Sequence, residues 1–420
     1  MWTQQHDAIA IVGGGPAGAL AGALLAAGGR DVALFDEKHA WEKPCGGGIT
    51  HKALQQYPFL ADAGSESNLD LNRNFIDRCE LISPLGQRVR FHLQYPVAIF
   101  SRLALNGLLL ERARRAGVAV HQERVTQIAR IGAAGKADRK NEWQLLTPQR
   151  EYRASSLVLA AGARNPFRSR MRSPIAPSDL MVTAGYFIPG YSSLMQIQFL
   201  KGITGYIWVF PRADHVSAGI AGKMGESPTA ELRRTLERWL EENGFCLDGA
   251  RFYSHILPSF RAQTFDTLEV CGDDWATIGD SAGLVDPITG EGLYYALRSA
   301  ELCAGAWLAG RPGEYETLLE QEVLSELKLA ARVSQRFYNG QIFGDSVLER
   351  MVSLTAQSAS FRALMGDLFA GIQGYRDLRA RLCRILPSVM AEGLAGSLHW
   401  PWDGSSGGES EFTTRPLAKS

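Results

Sequence analysis

The stretch DAIAIVGGGPAGALAGALLAAGGRDVALFD, from Asp7 to Asp36, decides the fold. Asp7 to Val12 is short and apolar and predicts a buried strand. Gly13-Gly14-Gly15-Pro16-Ala17-Gly18 follows and opens an alanine- and leucine-rich helix, which Gly28-Gly29 stops. Asp31 to Phe35 predicts a second strand, with Asp36 at its end. Strand, glycine loop, helix and strand make a βαβ opening. GxGxxG in that context is a dinucleotide-binding loop. Gly13 permits the tight turn, Gly15 lets a pyrophosphate approach the backbone, and Gly18 lets helix and strand pack closely. Pro16 and Ala17 lie in the first turn, where free N–H groups and the positive dipole end suit phosphates. The Asp36 carboxylate suits ribose hydroxyls. A glycine-rich turn without a ligand is the bland alternative, and the strand, helix and terminal acid together weigh against it.

Outward from this opening, Cys79 to Ile82 and Val89 to Leu93 predict a hairpin around Pro84-Leu-Gly-Gln87. Arg102 to Ala116 predicts a helix, Val118 to Val120 a strand, and Leu157 to Ala160 another short buried strand. From Ala176 to Val270 strand-like runs dominate: Met195–Leu200, Tyr206–Pro211 and His215–Ala221. One helix interrupts them, with Ser227 placed to cap it, Pro228 in its first turn and Leu232, Leu236, Trp239 and Leu240 on its apolar face. Ala276–Ile278 returns to a buried strand, and a helix begins near Glu291. After Gly313 the periodicity is helical, until it fades near Gly396.

The expected fold class is α/β. A discontinuous Rossmann-like nucleotide-binding domain (1–78, 96–175 and 271–312) holds an inserted antiparallel-sheet substrate domain (79–95 and 176–270). A C-terminal helical region (313–395) and a mobile tail (396–420, around Gly404–Glu411) complete it.

Lysine plus arginine and aspartate plus glutamate number 44 each among 420 residues, so the formal charge is zero. That balance argues against broad electrostatic capture of nucleic acid or acidic membranes. The six cysteines are scattered, with no CxxC pair. They support neither a disulfide framework nor zinc or iron–sulfur ligation, and no histidine spacing points to a metal. No run is long and apolar enough to span a membrane, and the N-terminus lacks a signal-peptide pattern, so a cytoplasmic protein is expected.

Gly279-Asp280-Ser281-Ala282-Gly283, then Pro287, then Thr289-Gly290-Glu291-Gly292 form a second glycine motif. It resembles the second FAD fingerprint of the flavoprotein hydroxylase superfamily. The resemblance implies FAD as cofactor, with Asp280 accepting from the ribitol chain, Gly279 and the Gly290/Gly292 pair lying against the flavin, and the following helix aimed at the ring. Arg102, in Phe100-Ser-Arg-Leu-Ala-Leu, matches the family arginine that reaches the FAD phosphates; a surface arginine at a helix start is the bland alternative. Related hydroxylases carry an Asp-Gly pair where this chain has Ala161-Gly162. That departure puts direct reduction by NADPH in doubt.

Pro44-Cys45-Gly46-Gly47-Gly48 and Tyr206-Ile207-Trp208-Val209-Phe210-Pro211 resemble the two signatures of the geranylgeranyl reductase family, PxxGG and YxWxFP. On a strand, Tyr206, Trp208 and Phe210 share one face, either a wall for a hydrocarbon chain or an ordinary core face. Gly46 and Gly47 allow close approach of a ring. Cys45 would then lie beside the flavin as a proton donor or redox-active thiol, or else be a small packed hydrophobe.

The resemblance implies reduction of carbon–carbon double bonds in a prenyl substrate by hydride from reduced FAD. NAD(P)H or a ferredoxin-type donor protein would be the external reductant. The partner is a hydrophobic small molecule or lipid, not nucleic acid. Peripheral membrane contact through Ile385, Leu386, Val389, Met390 and Leu394 competes with inward packing of those side chains. The alternatives are a flavin monooxygenase or halogenase of the same superfamily, and a flavin carrier passing electrons to quinone.

Overall fold

The computed structural model describes residues 8–61, 73–131, 142–171, 175–342 and 344–397. The expected mobile tail around Gly404–Glu411 lies outside the described residues. Two compact units emerge, each discontinuous in sequence. One comprises Met1–Lys43, Arg102–Asp179 and Leu257–Lys328; the other comprises Pro44–Ser101, Leu180–Ile256 and Leu329–Ser420.

In the first unit, apolar runs too short to alternate form a parallel sheet. Its order is Trp275–Thr277, Ser156–Leu159, Ile9–Val12, Val32–Phe35, Ala119–His121. Ile9–Val12 and Val32–Phe35 are buried at every position, as a sheet covered on both faces requires. Helix Pro16–Ala27 packs against helices Arg102–Arg115 and Leu293–Leu308. On the other side, an antiparallel ladder of Gln127–Ile131, Glu142–Leu146 and Glu151–Ala154 brings Trp143, Leu145 and Tyr152 into one apolar cluster with Val12 and Phe35. This is the Rossmann-like arrangement expected, with all glycine-motif strands ending on the same side of a parallel sheet.

The second unit is built on an eight-stranded sheet. Its order is Arg251–Pro258, Leu180–Pro189, His215–Lys223, Gly205–Pro211, Leu194–Phe199, Arg73–Ile82, Arg88–Phe100, Gly48–Ile49. The expected antiparallel pairing holds through most of it. Leu194–Phe199, however, runs parallel to Arg73–Ile82 with Gln196 opposite Glu80, so the sheet is mixed. Gly48–Ile49 and the start of Arg73–Ile82, expected with the nucleotide-binding part, belong to this sheet, where Gly48–Ile49 pairs with Ala98 and Ile99.

Helix Thr229–Glu242 lays Leu232, Leu236 and Leu240 on Ile207, Val209, Ala218 and Ile220. Its cap position is taken by Pro228 in an extended conformation, one residue later than expected, and Ser227 makes no cap bond. Helices Val347–Gln357, Ala359–Phe369 and Leu378–Ser397 share a second cluster with the Arg73–Phe100 hairpin. Of the proposed membrane-facing side chains, Val389 and Ile385 pack into this cluster, while Leu386 and Met390 are exposed. The Leu394 side chain lies outside the described residues.

Candidate functional site

The glycine loop leaves the end of strand Ile9–Val12 and enters helix Pro16–Ala27, with Gly15 as its cap and Pro16 at the first position. Gly13 has φ +111°, and a Cβ there would lie 2.3 Å from the Ala160 carbonyl oxygen. Only glycine meets both demands. A Cβ on Gly15 would meet nothing within 4 Å. The backbone there is open to a ligand, and the helix's first-turn N–H groups have no helical acceptors. At Gly18 a Cβ would fall 1.9 Å from the Gly13 oxygen, so the helix sits directly on the turn.

Asp36 is anchored from two sides. The Gly14 N–H donates to Oδ2 at 2.6 Å and the Lys38 N–H to Oδ1 at 2.8 Å. Each carboxylate oxygen keeps a further lone pair for a hydroxyl. Glu42 caps helix Arg102–Arg115, accepting from the Arg102 N–H at 2.8 Å. The Arg102 side chain is not on the surface but 3% exposed. Its Nη2 donates to Asn106 Oδ1 at 3.3 Å, while its Nε has no hydrogen-bond partner. A buried guanidinium with an unmet donor fits an anionic group such as a diphosphate.

The second glycine motif follows strand Trp275–Thr277 as a tight turn, Gly279–Ala282. The Gly279 N–H donates to Ser299 Oγ at 3.0 Å, and a Cβ on Gly279 would lie 3.0 Å from that of Ala17. The two motifs therefore pack against each other. Asp286 Oδ1 accepts from the Ile288 and Thr289 N–H groups, shaping the turn through Gly290. Gly292 caps helix Leu293–Leu308, and a Cβ on it would lie 3.3 Å from Asp280 Oδ1.

Asp280 Oδ2 pairs with Lys43 Nζ at 3.4 Å. The one signal for Lys43 in the sequence is that it directly precedes Pro44-Cys45. Its Nζ also stands 3.9 Å from where a Cβ on Gly162 would be, beside the Ala161-Gly162 departure. Ser281 Oγ donates to the Gly162 oxygen at 3.3 Å, tying that loop to the second motif. Gly13, Gly15, Pro16, Ala17, Gly18, Asp36, Arg102, Gly279, Asp280, Gly290 and Gly292 thus all belong to the first unit. Open backbone at Gly15, an orphaned buried donor on Arg102 and an anchored acid at Asp36 together fit FAD.

The second unit joins the other two motifs. A Cβ on Gly46 would lie 2.4 Å from the Phe210 ring, and one on Gly48 3.4 Å from it. On that side of Gly46 the ring that packs closely is that of Phe210. Gly47 has φ +87°, which turns its N–H back onto Cys45 Sγ at 3.3 Å. The Cys45 carbonyl accepts from Arg212 Nη2 at 2.6 Å and Ser217 Oγ at 2.9 Å.

The aromatic face is uneven. Trp208 is 6% exposed, its ring filling the space above Gly219, where a Cβ would lie 2.3 Å from it. Tyr206 and Phe210 keep partial exposure and border the cluster that includes Ile99 and Tyr338. Ile207 and Val209, on the opposite face, are core. Among the described residues no group of histidine, cysteine and carboxylate side chains is placed to hold a metal, and no helix is long and apolar enough to cross a membrane.

No family model matches the chain. The chloroplastic geranylgeranyl diphosphate reductase of Arabidopsis thaliana is 25% identical over 333 residues, which cover 72% of this chain and 66% of that protein, just under two thirds of its length. A menaquinone reductase of Mycobacterium tuberculosis is 27% identical over 329 residues, covering 70% of this chain and 75% of the relative. Among solved structures, a geranylgeranyl bacteriochlorophyll reductase-like protein from Thermoplasma acidophilum shares the fold. It superposes with a TM-score of 0.72 at 17% identity, over 93% of this chain and 99% of that one. With both glycine fingerprints in place on a Rossmann-like sheet, the chain is similar in sequence to geranylgeranyl diphosphate reductases and in fold to a reductase-like protein.

Proposed function

We propose that this protein reduces isolated carbon–carbon double bonds in the prenyl chain of a lipid. The observation that carries the reading is the junction of the Cys45 segment with the Tyr206–Phe210 strand, which puts a thiol and partly exposed aromatic rings in one unit. Bound and reduced, FAD would supply hydride to one alkene carbon. The other carbon needs a proton, and Cys45 Sγ is the candidate to hold it.

The chain's own residues have separable tasks. Gly15 and Arg102 bind the diphosphate, Asp36 binds a ribose, and Asp280 with its Lys43 partner orients the ribitol chain. Tyr206 and Phe210 give the apolar chain a dry surface and exclude water, which an unactivated alkene requires. A thiol that gives up its proton is left as thiolate, which the Gly47 N–H already faces. Water returns the proton. An external donor, NAD(P)H or a ferredoxin-type protein, restores the reducing equivalents.

The test is mass spectrometry of products. The purified flavoprotein is reduced chemically without oxygen, mixed with geranylgeranyl lipids, and the mixing is repeated in air. Products gaining two hydrogens per double bond without oxygen support the reading. Products that form only in air and carry oxygen or halogen replace it with the monooxygenase or halogenase reading. Turnover with quinone alone replaces it with electron carriage.

A further inference from the structure

Arg212 is the largest fully buried side chain among the described residues, 0% exposed. A buried guanidinium is costly unless its donors are met, so its partners show what it serves. Nη2 donates to the Cys45 carbonyl at 2.6 Å, Nη1 meets His215 Nε2 at 3.2 Å, and the charge lies 5.0 Å from the Phe187 ring centre. Asp214 Oδ1 lies 2.8 Å from His215 Nδ1. If that nitrogen carries the proton, Nε2 is the acceptor that Nη1 needs, so one tautomer satisfies both contacts.

The same Cys45 carbonyl accepts from Ser217 Oγ at 2.9 Å. Ser217 has a single hydroxyl proton, so the Tyr253 hydroxyl, 3.0 Å away, donates to Ser217 in turn. Burial pushes the Tyr253 hydroxyl well above the usual tyrosine range, which keeps it a donor. Arg212 and Ser217 flank a tight turn between strands Gly205–Pro211 and His215–Lys223, closed by the Arg212 N–H donating to the His215 oxygen at 2.8 Å. Ser217 stands on the sheet and Arg212 in the turn at its edge, and both hold one peptide of an otherwise glycine-rich loop.

We propose that Arg212 and Ser217 are positioning residues that fix the Cys45 peptide, and with it the direction of the thiol. The catalytic consequence rests on the reading of Cys45 as the proton-bearing group. The positioning itself does not.

The test uses the full-length, FAD-loaded protein with Ser217→Ala and Arg212→Lys. Each cysteine's labelling rate by N-ethylmaleimide is followed by peptide mass spectrometry, with exposed Cys246 and Cys383 as internal references. We expect Cys45 to label at least fivefold faster in both variants, with reference rates and bound FAD unchanged. Unchanged or slower Cys45 labelling in Ser217→Ala overturns the proposal, and that variant decides alone if Arg212→Lys does not fold. Where the wild type reduces a prenyl substrate, kcat should fall at least tenfold with KM within twofold. A wild-type kcat alongside faster labelling removes the catalytic consequence. If the wild type reduces no alkene, the labelling result still decides the positioning, and only the proposed function falls.

Discussion

Replacing Gly15 with valine separates cofactor binding from folding. Gly15 has φ −69° and ψ −177°, extended values that valine adopts readily. No protein atom lies within 4 Å of its added Cβ. The folded chain should lose only cap quality, about 0.5–1 kcal/mol. The valine methyls would occupy the space a diphosphate must enter, so FAD affinity should fall at least about 100-fold, or about 2.8 kcal/mol at 1.4 kcal/mol per tenfold.

Gly13→Ala is the counterpart. Its Cβ would sit 2.3 Å from the Ala160 oxygen at φ +111°. Strain of about 1–2 kcal/mol adds to that clash, and the apo-protein melt should drop by several degrees. The assay is calorimetric titration of apo-protein with FAD, beside thermal melts of both apo variants. Gly15→Val binding FAD within threefold of wild type would refute the assignment of the loop. So would a melt lowered more by Gly15→Val than by Gly13→Ala.

Arg102→Met should fold but bind FAD roughly tenfold or more weakly, the share of a charge-assisted contact; unaltered affinity would return Arg102 to a structural role. Cys45→Ser should keep full flavin content and slow alkene reduction, and an unchanged rate would take the thiol out of the reaction. Trp208→Ala should cost about 3–5 kcal/mol of stability because the ring is core. Tyr206→Ala should instead raise KM for long prenyl chains more than for short ones, and equal changes would make it core as well.

Asp179, 2% exposed, accepts from the Arg261 N–H and Nε at 3.0 and 3.1 Å and from Thr264 Oγ at 2.8 Å. Burial alone would raise its carboxyl, but those bonds outweigh it and hold the group below the usual aspartate value. A depressed folded value means stability that is present above the unfolded value and lost as pH falls through the folded one. Asp179→Asn should therefore cost about 1.5–3 kcal/mol at pH 7, and the gap from wild type should close on acidification, as denaturant melts across pH would record. A gap constant down to pH 2 would contradict the ion pair.

The nucleotide-binding half was legible because its demands are local. A turn, a helix start and a strand-end acid lie within about twenty-five residues; Gly13 makes the tight turn, Gly18 lets the helix sit on it, and Asp36 stands at the strand end. The motif partners across the sequence were not. Nothing near Lys43 announces Asp280, some 237 positions on, and nothing in Gly46 names Phe210 as the ring it admits. Arg212 went unremarked for the same reason: a lone arginine after a proline reads as surface until the sheet encloses it. The parallel Leu194–Phe199 pairing was missed because a strand's periodicity carries no direction. The cap at Pro228 was misplaced by one residue because serine and proline both suit a helix start.

That parallel pairing also sets a timetable for biosynthesis. The Arg73–Phe100 hairpin is complete long before Leu194–Phe199 is translated, an interval on the order of 5–20 s at ~5–20 residues per second. Until then one edge of Arg73–Ile82 has no strand to pair with, and it carries the apolar Cys79 and Leu81. A ribosome stalled between these segments, or a fragment ended before Leu180, would present that edge to other chains. Such products should be clients of chaperones rather than stable pieces of the protein.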